Sequence, residues 1–428
     1  MTVHAVTRPA SAAEQDHYPD AGREIAVPAD AADLADRIRA AEAEGRPVLP
    51  AGEGAHAAWG DPPPPGALVL STAAFDEVAL YEPDDFTIGV GAGMKLADLR
   101  ALLRSHGQEI PFEWPAAAGG TVGGMVARAA GGPRQGRYGP PASFVLGVEG
   151  VRGEGRPFRA GGMVVKNVAG YQLAKLVVGA MGGAGFLLRV NFKLRPLPAA
   201  RRLSVATFST AAEAWARTAE LRAARLEPAA LLVLDGTARS VAAAGASGAD
   251  GGATLAWVFE GGDATVAWQH SECERLGFQE AKSFSEAQGD AADELLERSA
   301  AYSETDRLSP ADTGIVRLSV LPSVLPGAAA AVAETFSTLS GFEAGTLADA
   351  ATGLLTVRWT GPPESIDAPV TALREIVRAK EGTGRLLHLP GSARRRHRHA
   401  LHDDPNEALA EAVLAAFDPH GTFARRPA

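Results

Sequence analysis

Cysteine is almost absent from the chain, since Cys273 is the single one among 428 residues. One cysteine cannot form an intramolecular disulfide framework, a cysteine-ligated iron–sulfur cluster or a four-cysteine zinc site within this chain. A reducing compartment fits this composition. The sequence therefore predicts a cytoplasmic protein without a thiolate metal centre of its own.

Long apolar runs and an excess of basic residues are also lacking. Residues 1–20 contain no apolar core of signal-peptide length, and no apolar stretch of about twenty residues occurs. Any membrane contact is therefore expected to be peripheral, at the inner membrane face. The formal net charge of -10 favours solubility and argues against a nucleic-acid partner, which would require a basic patch.

Glycine, in contrast, is abundant and clustered. Nineteen of the 48 glycines lie between residues 119 and 185. Glycine tolerates positive φ and lets a ligand approach the backbone closely. Dense glycine in a β-rich sequence therefore suggests a main chain wrapped around a large anionic ligand, for which a dinucleotide is a natural candidate.

Two glycine-rich turns have the composition of phosphate-binding loops. The first is PAGEGAHAAWG at residues 50–60, and the second is PAAAGGTVGGMVARAAGG at residues 115–132, where Thr121 adds a hydroxyl group. Exposed backbone N–H groups at tight turns form concave donors that neutralise phosphate without lysine or arginine. Either turn alone could be purely structural, whereas two in this order are more specific. The segment GVGAGMKLADL lacks the third glycine of a Rossmann fingerprint, so that fold is rejected.

The chain divides by composition into successive units. Residues 1–22 are a polar lead-in that we expect to be disordered, and from Ile25 the pattern predicts a strand, a helix that starts at Asp30 and a second strand. DPPPPG at residues 61–66 predicts a surface loop. After the proline pair of KLRPLP, helices alternate with short strands, which predicts a second α+β domain.

The glycine-rich motifs carry a family resemblance over about residues 25–198. A first pyrophosphate turn, a following AG-L-L helix and GGTVGG together resemble the PCMH-type FAD-binding domain of the vanillyl-alcohol oxidase superfamily. GGTVGGMVARAAGGPRQGRYG, FVLGVEGVRGEGRPFRAGG and VVKNVAGYQLAKLVVGAMGGAGFLLRVNFKLRP resemble the FAD-binding E subunit of bacterial glycolate oxidase (glycolate dehydrogenase). In the second half, only RLSVLP and FDPHGTF are similar.

The resemblance implies an α+β fold with a two-lobed PCMH-type FAD-binding domain followed by a smaller α+β cap domain. The FAD-binding domain would span residues 23–199, with lobes at about 25–80 and 85–198, and the cap residues 200–390. Residues 391–428 would pack back on the FAD-binding domain.

The resemblance also implies which residues contact non-covalent FAD. The first turn would contact the pyrophosphate, the second the ribityl and flavin region, and a third segment would border the adenine through main-chain atoms. In that order these residues are Pro50, Ala51, Gly52, Glu53, Gly54, Ala55 and His56; Pro115, Gly119, Gly120, Thr121, Gly123 and Gly124; and Val148, Glu149 and Gly150.

Five positions depart from the family pattern. Where the first turn usually reads GGGT, Glu53 places a carboxylate beside the phosphates and Ala55 removes a hydroxyl group. Gln172 stands where aspartate is common, and Ala180 and Met181 stand where serine and an acidic residue are common. Side-chain contacts to the flavin are expected to be lost at these positions, while backbone contacts can remain.

Some single residues have two readings. His56 lies one position beyond a covalent flavin histidine, so it is interpreted as a loop residue first. Lys166, Asn167 and Tyr171 could face substrate or flavin, or could brace the turn.

A histidine-rich segment near the C-terminus superficially suggests a metal cluster. It contains His397, His399, His402, Asp403 and Asp404, but its arginine-rich setting disfavours a cation, so no metal site is predicted. A basic, solvated loop that could dock an acidic partner is the alternative.

The resemblance leaves the catalytic residues unassigned. Related D-2-hydroxy-acid dehydrogenases carry a motif resembling HxGDGNxH, which this chain lacks. Oxidation of a 2-hydroxy acid needs a base for the hydroxyl proton and a cation or metal for the carboxylate, and the sequence shows no clear set.

Three functions remain open. The first is an FAD-binding subunit of a glycolate oxidase-type complex, with a larger flavin subunit and an iron–sulfur subunit that receives electrons from the flavin. The second is a stand-alone FAD-linked oxidase of a small alcohol or hydroxy acid. The third is a degenerate flavin domain that acts as an assembly scaffold.

Overall fold

The structure is a computed structural model that describes most of the chain. The described residues are 7–9, 24–55, 64–114, 119–129, 131–166, 171–242, 252–303, 313–389, 393, 397, 401 and 406–424. No helix among these residues is both long and apolar enough to cross a membrane.

The first lobe is a small sheet covered by one helix. Its strand order is β1–β2–β4–β3, with β2 and β3 both parallel to β4. The predicted helix start is confirmed, because the Asp30 side chain accepts hydrogen bonds from the amides of Ala32 and Asp33. Leu34 and Ile38 of this helix are fully buried against the sheet. The elements are β1 (Thr7–Pro9), β2 (Glu24–Ala26), α1 (Ala31–Ala43), β3 (Val48–Ala51) and β4 (Leu68–Ser71).

The second lobe is an antiparallel sheet with the order β5–β6–β10–β8–β9. Its core contains Val90, Leu99, Val190 and Phe192. The elements are β5 (Val78–Glu82), β6 (Thr87–Gly91), α2 (Leu96–Ser105), β7 (Gln108–Glu109), α3 (Val122–Arg128), α4 (Gln135–Tyr138), β8 (Val145–Val151), β9 (Pro157–Gly161), β10 (Phe186–Lys193) and β11 (Arg195–Pro196).

The glycines of GVGAG bring the two lobes into backbone contact. A Cβ on Gly91 would lie 2.1 Å from the Phe75 carbonyl oxygen, and one on Gly93 would lie 2.0 Å from the Thr72 carbonyl oxygen. Both distances are far below any real carbon–oxygen contact. The glycines are therefore required by lobe packing, which agrees with the rejection of a Rossmann fingerprint at this segment.

The cap is one antiparallel sheet with the order β15–β12–β14–β13–β17–β18–β16–β19. One face carries α5, α6, α8 and α9 around Trp257 and Trp359, and the other carries α7. The elements are β12 (Ala200–Phe208), α5 (Ala211–Ala223), β13 (Ala230–Gly236), β14 (Ala253–Gly261), α6 (Asp263–Arg275), β15 (Ser283–Gln288), α7 (Asp290–Ser303), β16 (Thr313–Ser319), α8 (Leu325–Thr338), β17 (Glu343–Asp349), β18 (Leu354–Thr360), α9 (Asp367–Ala379) and β19 (Thr383–His388).

The C-terminal segment contacts both lobes of the first half. Helix α10 (Glu407–Phe417) ends with the Phe417 ring 5.4 Å from the Phe158 ring. Beyond it, the Val48 amide donates to the Thr422 carbonyl at 2.7 Å, and the Ala424 amide donates to the Val48 carbonyl at 2.7 Å.

Most of the predicted lead-in, residues 1–22, lies outside the described residues, although β1 within it pairs with β2.

Candidate functional site

A cavity that opens to solvent lies between the two lobes of the first half. Its walls come from residues 49–55 and Thr72 of the first lobe and from residues 96, 120–128 and 177–187 of the second, with some gaps. Both glycine-rich turns therefore meet at one cavity. At their closest approach, a Cβ on Gly52 would lie 2.3 Å from the Thr121 Oγ1, so only glycine fits at position 52.

The first turn presents backbone donors to this cavity. Strand β3 ends at Ala51, and Gly54 then adopts a φ of +72°. Within the described residues, the amides of Gly52, Gly54 and Ala55 donate no hydrogen bond to the protein. A partly buried N–H group without an acceptor is costly, so three such groups at one turn fit a phosphate ligand.

The second turn differs, because its amides are already used. The Gly120 amide donates to the Glu53 Oε2 at 2.9 Å, and the Gly124 amide donates to the Thr121 Oγ1 at 3.3 Å. The amides of Val122 and Gly123 donate to carbonyls of the preceding segment. The second turn thus supplies a wall of glycines and the hydroxyl hydrogen of Thr121. It offers fewer free backbone donors than its composition suggests.

Comparison with known proteins covers both glycine-rich turns of this cavity. A model of the FAD-binding domain family matches residues 23–172. These residues form an FAD-binding domain. FAD is its cofactor, and it fits the cavity between the lobes, where three amides of the first turn have no acceptor within the described residues.

Curated relatives are similar over the same half of the chain. The glycolate oxidase subunit GlcD of Bacillus subtilis is 30% identical over 189 residues, 44% of this chain and 40% of the relative. The subunit GlcE of Escherichia coli is 41% identical over 121 residues, 28% of this chain and 35% of the relative. The D-lactate dehydrogenase of Archaeoglobus fulgidus is 32% identical over 172 residues, 40% of this chain and 38% of the relative. The match thus spans two fifths or less of each of these relatives.

A solved structure resembles nearly the whole chain. Alkyldihydroxyacetonephosphate synthase superposes with a TM-score of 0.67 over 94% of this chain and 76% of its own, at 14% identity. At this identity the likeness concerns the fold alone. It includes the cap, and agrees with an FAD-binding domain followed by an α+β domain.

The predicted cofactor residues divide into three groups in the structure. Ten line the cavity, four are not among its lining residues, and His56 and Pro115 lie outside the described residues. The ten are Pro50, Ala51, Gly52, Glu53, Gly54, Ala55, Gly120, Thr121, Gly123 and Gly124, and the four are Gly119, Val148, Glu149 and Gly150.

The third predicted segment lies within strand β8. Val148 is buried in the core, and Glu149 is 3.4 Å from both Arg159 and Arg189. These side chains are thus engaged elsewhere. Their main-chain contact to adenine stays a prediction.

The other candidate residues are also placed. Ala180 and Met181 line the cavity, whereas Lys166 and Tyr171 are exposed and Asn167 lies outside the described residues. The His397 Nε2 lies 2.8 Å from the Asp367 Oδ1.

No group of three or more potential metal ligands occurs among the described residues. The remaining members of the histidine-rich segment, His399, His402, Asp403 and Asp404, lie outside them.

Sequence reasoning missed a group of arginines where the cap contacts the wall of the cavity. Arg128 is the last residue of α3, is buried and lines the cavity. On the cap sheet, Arg317 of β16 lies directly opposite Arg385 of β19. Ile315, two residues before Arg317, clusters with Met181 of the cavity wall. Because residues two apart on a strand share a face, Arg317 and Arg385 lie on the sheet face that meets the FAD-binding domain.

The three guanidinium groups of Arg128, Arg317 and Arg385 lie close enough to affect one another's pKa. Burial lowers the pKa of Arg128, and the charge of Arg317 lowers it further. Burial also lowers the pKa of Arg317 to about 10, and Arg385 adds to that effect. Within the part of the chain that the structure describes, no ion pair joins Arg317 or Arg385 to an acidic side chain. The site therefore favours an anion, and the RLSVLP similarity was the one sequence signal that included Arg317.

A second, smaller cavity lies between the FAD-binding domain and the cap. It shares Leu96 and Met125 with the first cavity and contains Glu113 and Arg134. Burial raises the pKa of Glu113 to about 7, although the Arg134 guanidinium beside it opposes the rise. Arg134 also pairs with Glu260 of the cap, so this buried charge group joins the two halves of the chain beside the flavin cavity.

Proposed function

We propose that this chain is an FAD-dependent oxidoreductase of small 2-hydroxy acids and works as the FAD-binding subunit of a glycolate oxidase-type complex. The observation that carries the proposal is the arginine group, in which Arg128 of the cavity wall lies near Arg317 of the cap and Arg317 lies opposite Arg385. Relatives named as glycolate oxidase subunits and D-lactate dehydrogenase support the substrate class.

The first turn would hold the cofactor without covalent attachment. The amides of Gly52, Gly54 and Ala55 would donate to the pyrophosphate, and the wall from Gly120 to Gly124 would contact the ribityl and flavin region. Bound FAD supplies a hydride acceptor that the chain's own side chains cannot provide.

The arginines would hold the substrate carboxylate. A 2-hydroxy acid carries one carboxylate beside its reacting carbon, so a cation must lie next to the flavin to orient it. Arg317 and Arg385 lie on the cap face that contacts Met181 of the cavity wall, and Arg128 lines the cavity itself. A guanidinium group binds carboxylate through two parallel hydrogen bonds, which fixes the orientation of the substrate.

Electrons would leave the flavin through a partner. The chain has one cysteine, so an iron–sulfur cluster with cysteine ligands must lie in another subunit. Apolar side chains are exposed along one segment of the FAD-binding domain, where Val164 is 71% and Tyr171 91% exposed. Clustered exposed apolar groups suit a protein interface. A larger flavin subunit would share the complex, in the cytoplasm or at the inner membrane face.

An absorption spectrum of the purified chain tests this function. We expect a flavin spectrum that bleaches anaerobically with one enantiomer of lactate or with glycolate, and reduced flavin that reoxidises quickly only with the iron–sulfur partner. A flavin that no 2-hydroxy acid reduces, alone or in the reconstituted complex, would contradict the proposal.

A stand-alone FAD-linked oxidase is the second candidate. It is favoured by the presence of the arginine group and the flavin cavity in one chain. Rapid reoxidation of the isolated, substrate-reduced chain by dioxygen would favour it over the complex. A purified chain that binds its partners but no flavin would instead support the scaffold alternative.

A further inference from the structure

The carboxylate of Glu53 connects the two glycine-rich turns of the flavin cavity. Its Oε2 accepts the Gly120 amide hydrogen bond at 2.9 Å, and its Oε1 lies 3.1 Å from the Lys95 Nζ. A Cβ on Gly119 would lie 3.0 Å from the same Oε2. Glu53 is thus an anion held at the cavity wall by a backbone donor and an ammonium group.

This anion lies in the first glycine-rich turn. Glu53 is flanked by Gly52 and Gly54, which donate to no described acceptor, and all three residues line the cavity. A cofactor phosphate bound there would lie close to the carboxylate, and like charges repel most strongly where water is partly excluded. The Lys95 side chain is 61% exposed, so solvent screens its compensating charge.

Glu53 also occupies a hydrogen-bond donor of the cavity wall, the Gly120 amide. A backbone N–H group has one hydrogen, so the Gly120 amide cannot serve both the carboxylate and a cofactor oxygen at full strength. An FAD oxygen that approaches the Gly120 amide must either displace the Glu53 carboxylate or share the amide hydrogen with it.

We propose that Glu53 sets the affinity of this chain for FAD, by repelling the pyrophosphate and by competing for the Gly120 amide. The flavin site is consequently weaker and more exchangeable than the backbone of the turn alone would make it. This inference rests on the FAD-binding part of the proposed function and is independent of the substrate.

Titration of the flavin-free chain with FAD, followed by calorimetry, tests the inference. Glu53→Gln keeps an oxygen acceptor for the Gly120 amide and removes the charge, whereas Glu53→Ala removes both. We expect FAD to bind about tenfold more tightly to Glu53→Gln and at least as tightly to Glu53→Ala. Asp98→Asn removes the same charge from an exposed position on α2 near Lys95, and should leave the Kd unchanged.

Riboflavin has no phosphate, so its binding distinguishes repulsion of the phosphates from a general change in the shape of the cavity. Glu53→Gln should change the riboflavin Kd less than twofold if repulsion of phosphate is the cause. Thermal unfolding of each flavin-free variant checks that it is folded. An FAD Kd that is unchanged or raised in both Glu53 variants overturns the inference while FAD binding stands. Absence of FAD binding in every folded chain, wild type included, overturns the proposed function as well.

Discussion

Arg134 and Glu260 form a buried ion pair between the FAD-binding domain and the cap, with 3.3 Å between Nη1 and Oε1. Arg134 also pairs with Glu109 at 3.0 Å and with Glu113, and Glu260 also pairs with Arg201. These contacts raise the pKa of Arg134 against the effect of burial. The pair therefore couples the position of the cap to the lobe that carries the second glycine turn.

Replacing Arg134 with methionine is expected to lower the free energy of unfolding by about 3–5 kcal/mol, because it leaves buried carboxylates without their main cation. Chemical denaturation followed by fluorescence measures the change. Arg137→Met is the control, since its partner Glu227 is 80% exposed and the loss should be about 1 kcal/mol or less. Equal effects of the two substitutions would contradict this account of the interface.

Glu113 is expected to make stability depend on pH. Burial raises its pKa to about 7 in the folded chain, whereas an unfolded glutamate titrates near about 4.3. Between these values the folded state binds more protons, so the contribution of Glu113 to stability falls as the pH rises through this window.

Unfolding of the wild type and of Glu113→Gln across that pH range measures the effect. The glutamine variant cannot titrate at this position, so it should gain stability relative to the wild type as the pH rises from about 4.5 to about 7. A constant difference across the window would refute the assignment.

Gly52→Ala is expected to weaken FAD binding about tenfold or more, because the new Cβ would lie 2.3 Å from the Thr121 Oγ1 and push the two turns apart. A titration of the flavin-free chain with FAD gives the Kd. Gly262→Ala is the matched control, since a Cβ there meets nothing within 4 Å. An unchanged Kd in Gly52→Ala would show that the cavity tolerates this separation.

Arg317→Met is expected to raise the KM for a 2-hydroxy acid about 10- to 100-fold, because it would remove the proposed charge-assisted hydrogen bond to the substrate carboxylate. Its FAD content should remain that of the wild type, and Arg317→Lys should recover part of the loss. Steady-state kinetics with an artificial electron acceptor measures both parameters. Arg378→Met, on the exposed side of α9, controls for the lost charge. A KM that changes equally in both variants would remove Arg317 from the site.

Local signals in the sequence predicted the first turn well. Asp30 caps its helix as expected, and residues 50–55 line the cavity at the end of β3 and just beyond it. These features depend on the backbone preferences of a few neighbouring residues, which a sequence displays directly.

The second turn was predicted only in part. Its glycines form the cavity wall, but the amides of Gly120 and Gly123 donate to Glu53 and to the Ala92 carbonyl, residues distant in the sequence. Composition cannot show which donor is already paired, since the acceptor comes from another segment.

The sequence by itself determined that the chain carries a glycine-rich FAD-binding half, because tight turns and close backbone approach depend on the types of consecutive residues. Only the tertiary structure decided which charged side chains lie at or near that cavity. Arg317 and Arg385 lie 68 positions apart and become neighbours through strand register, and Glu53 reaches Gly120 across two lobes. Register and lobe packing follow from the fit of whole surfaces, which no local pattern encodes.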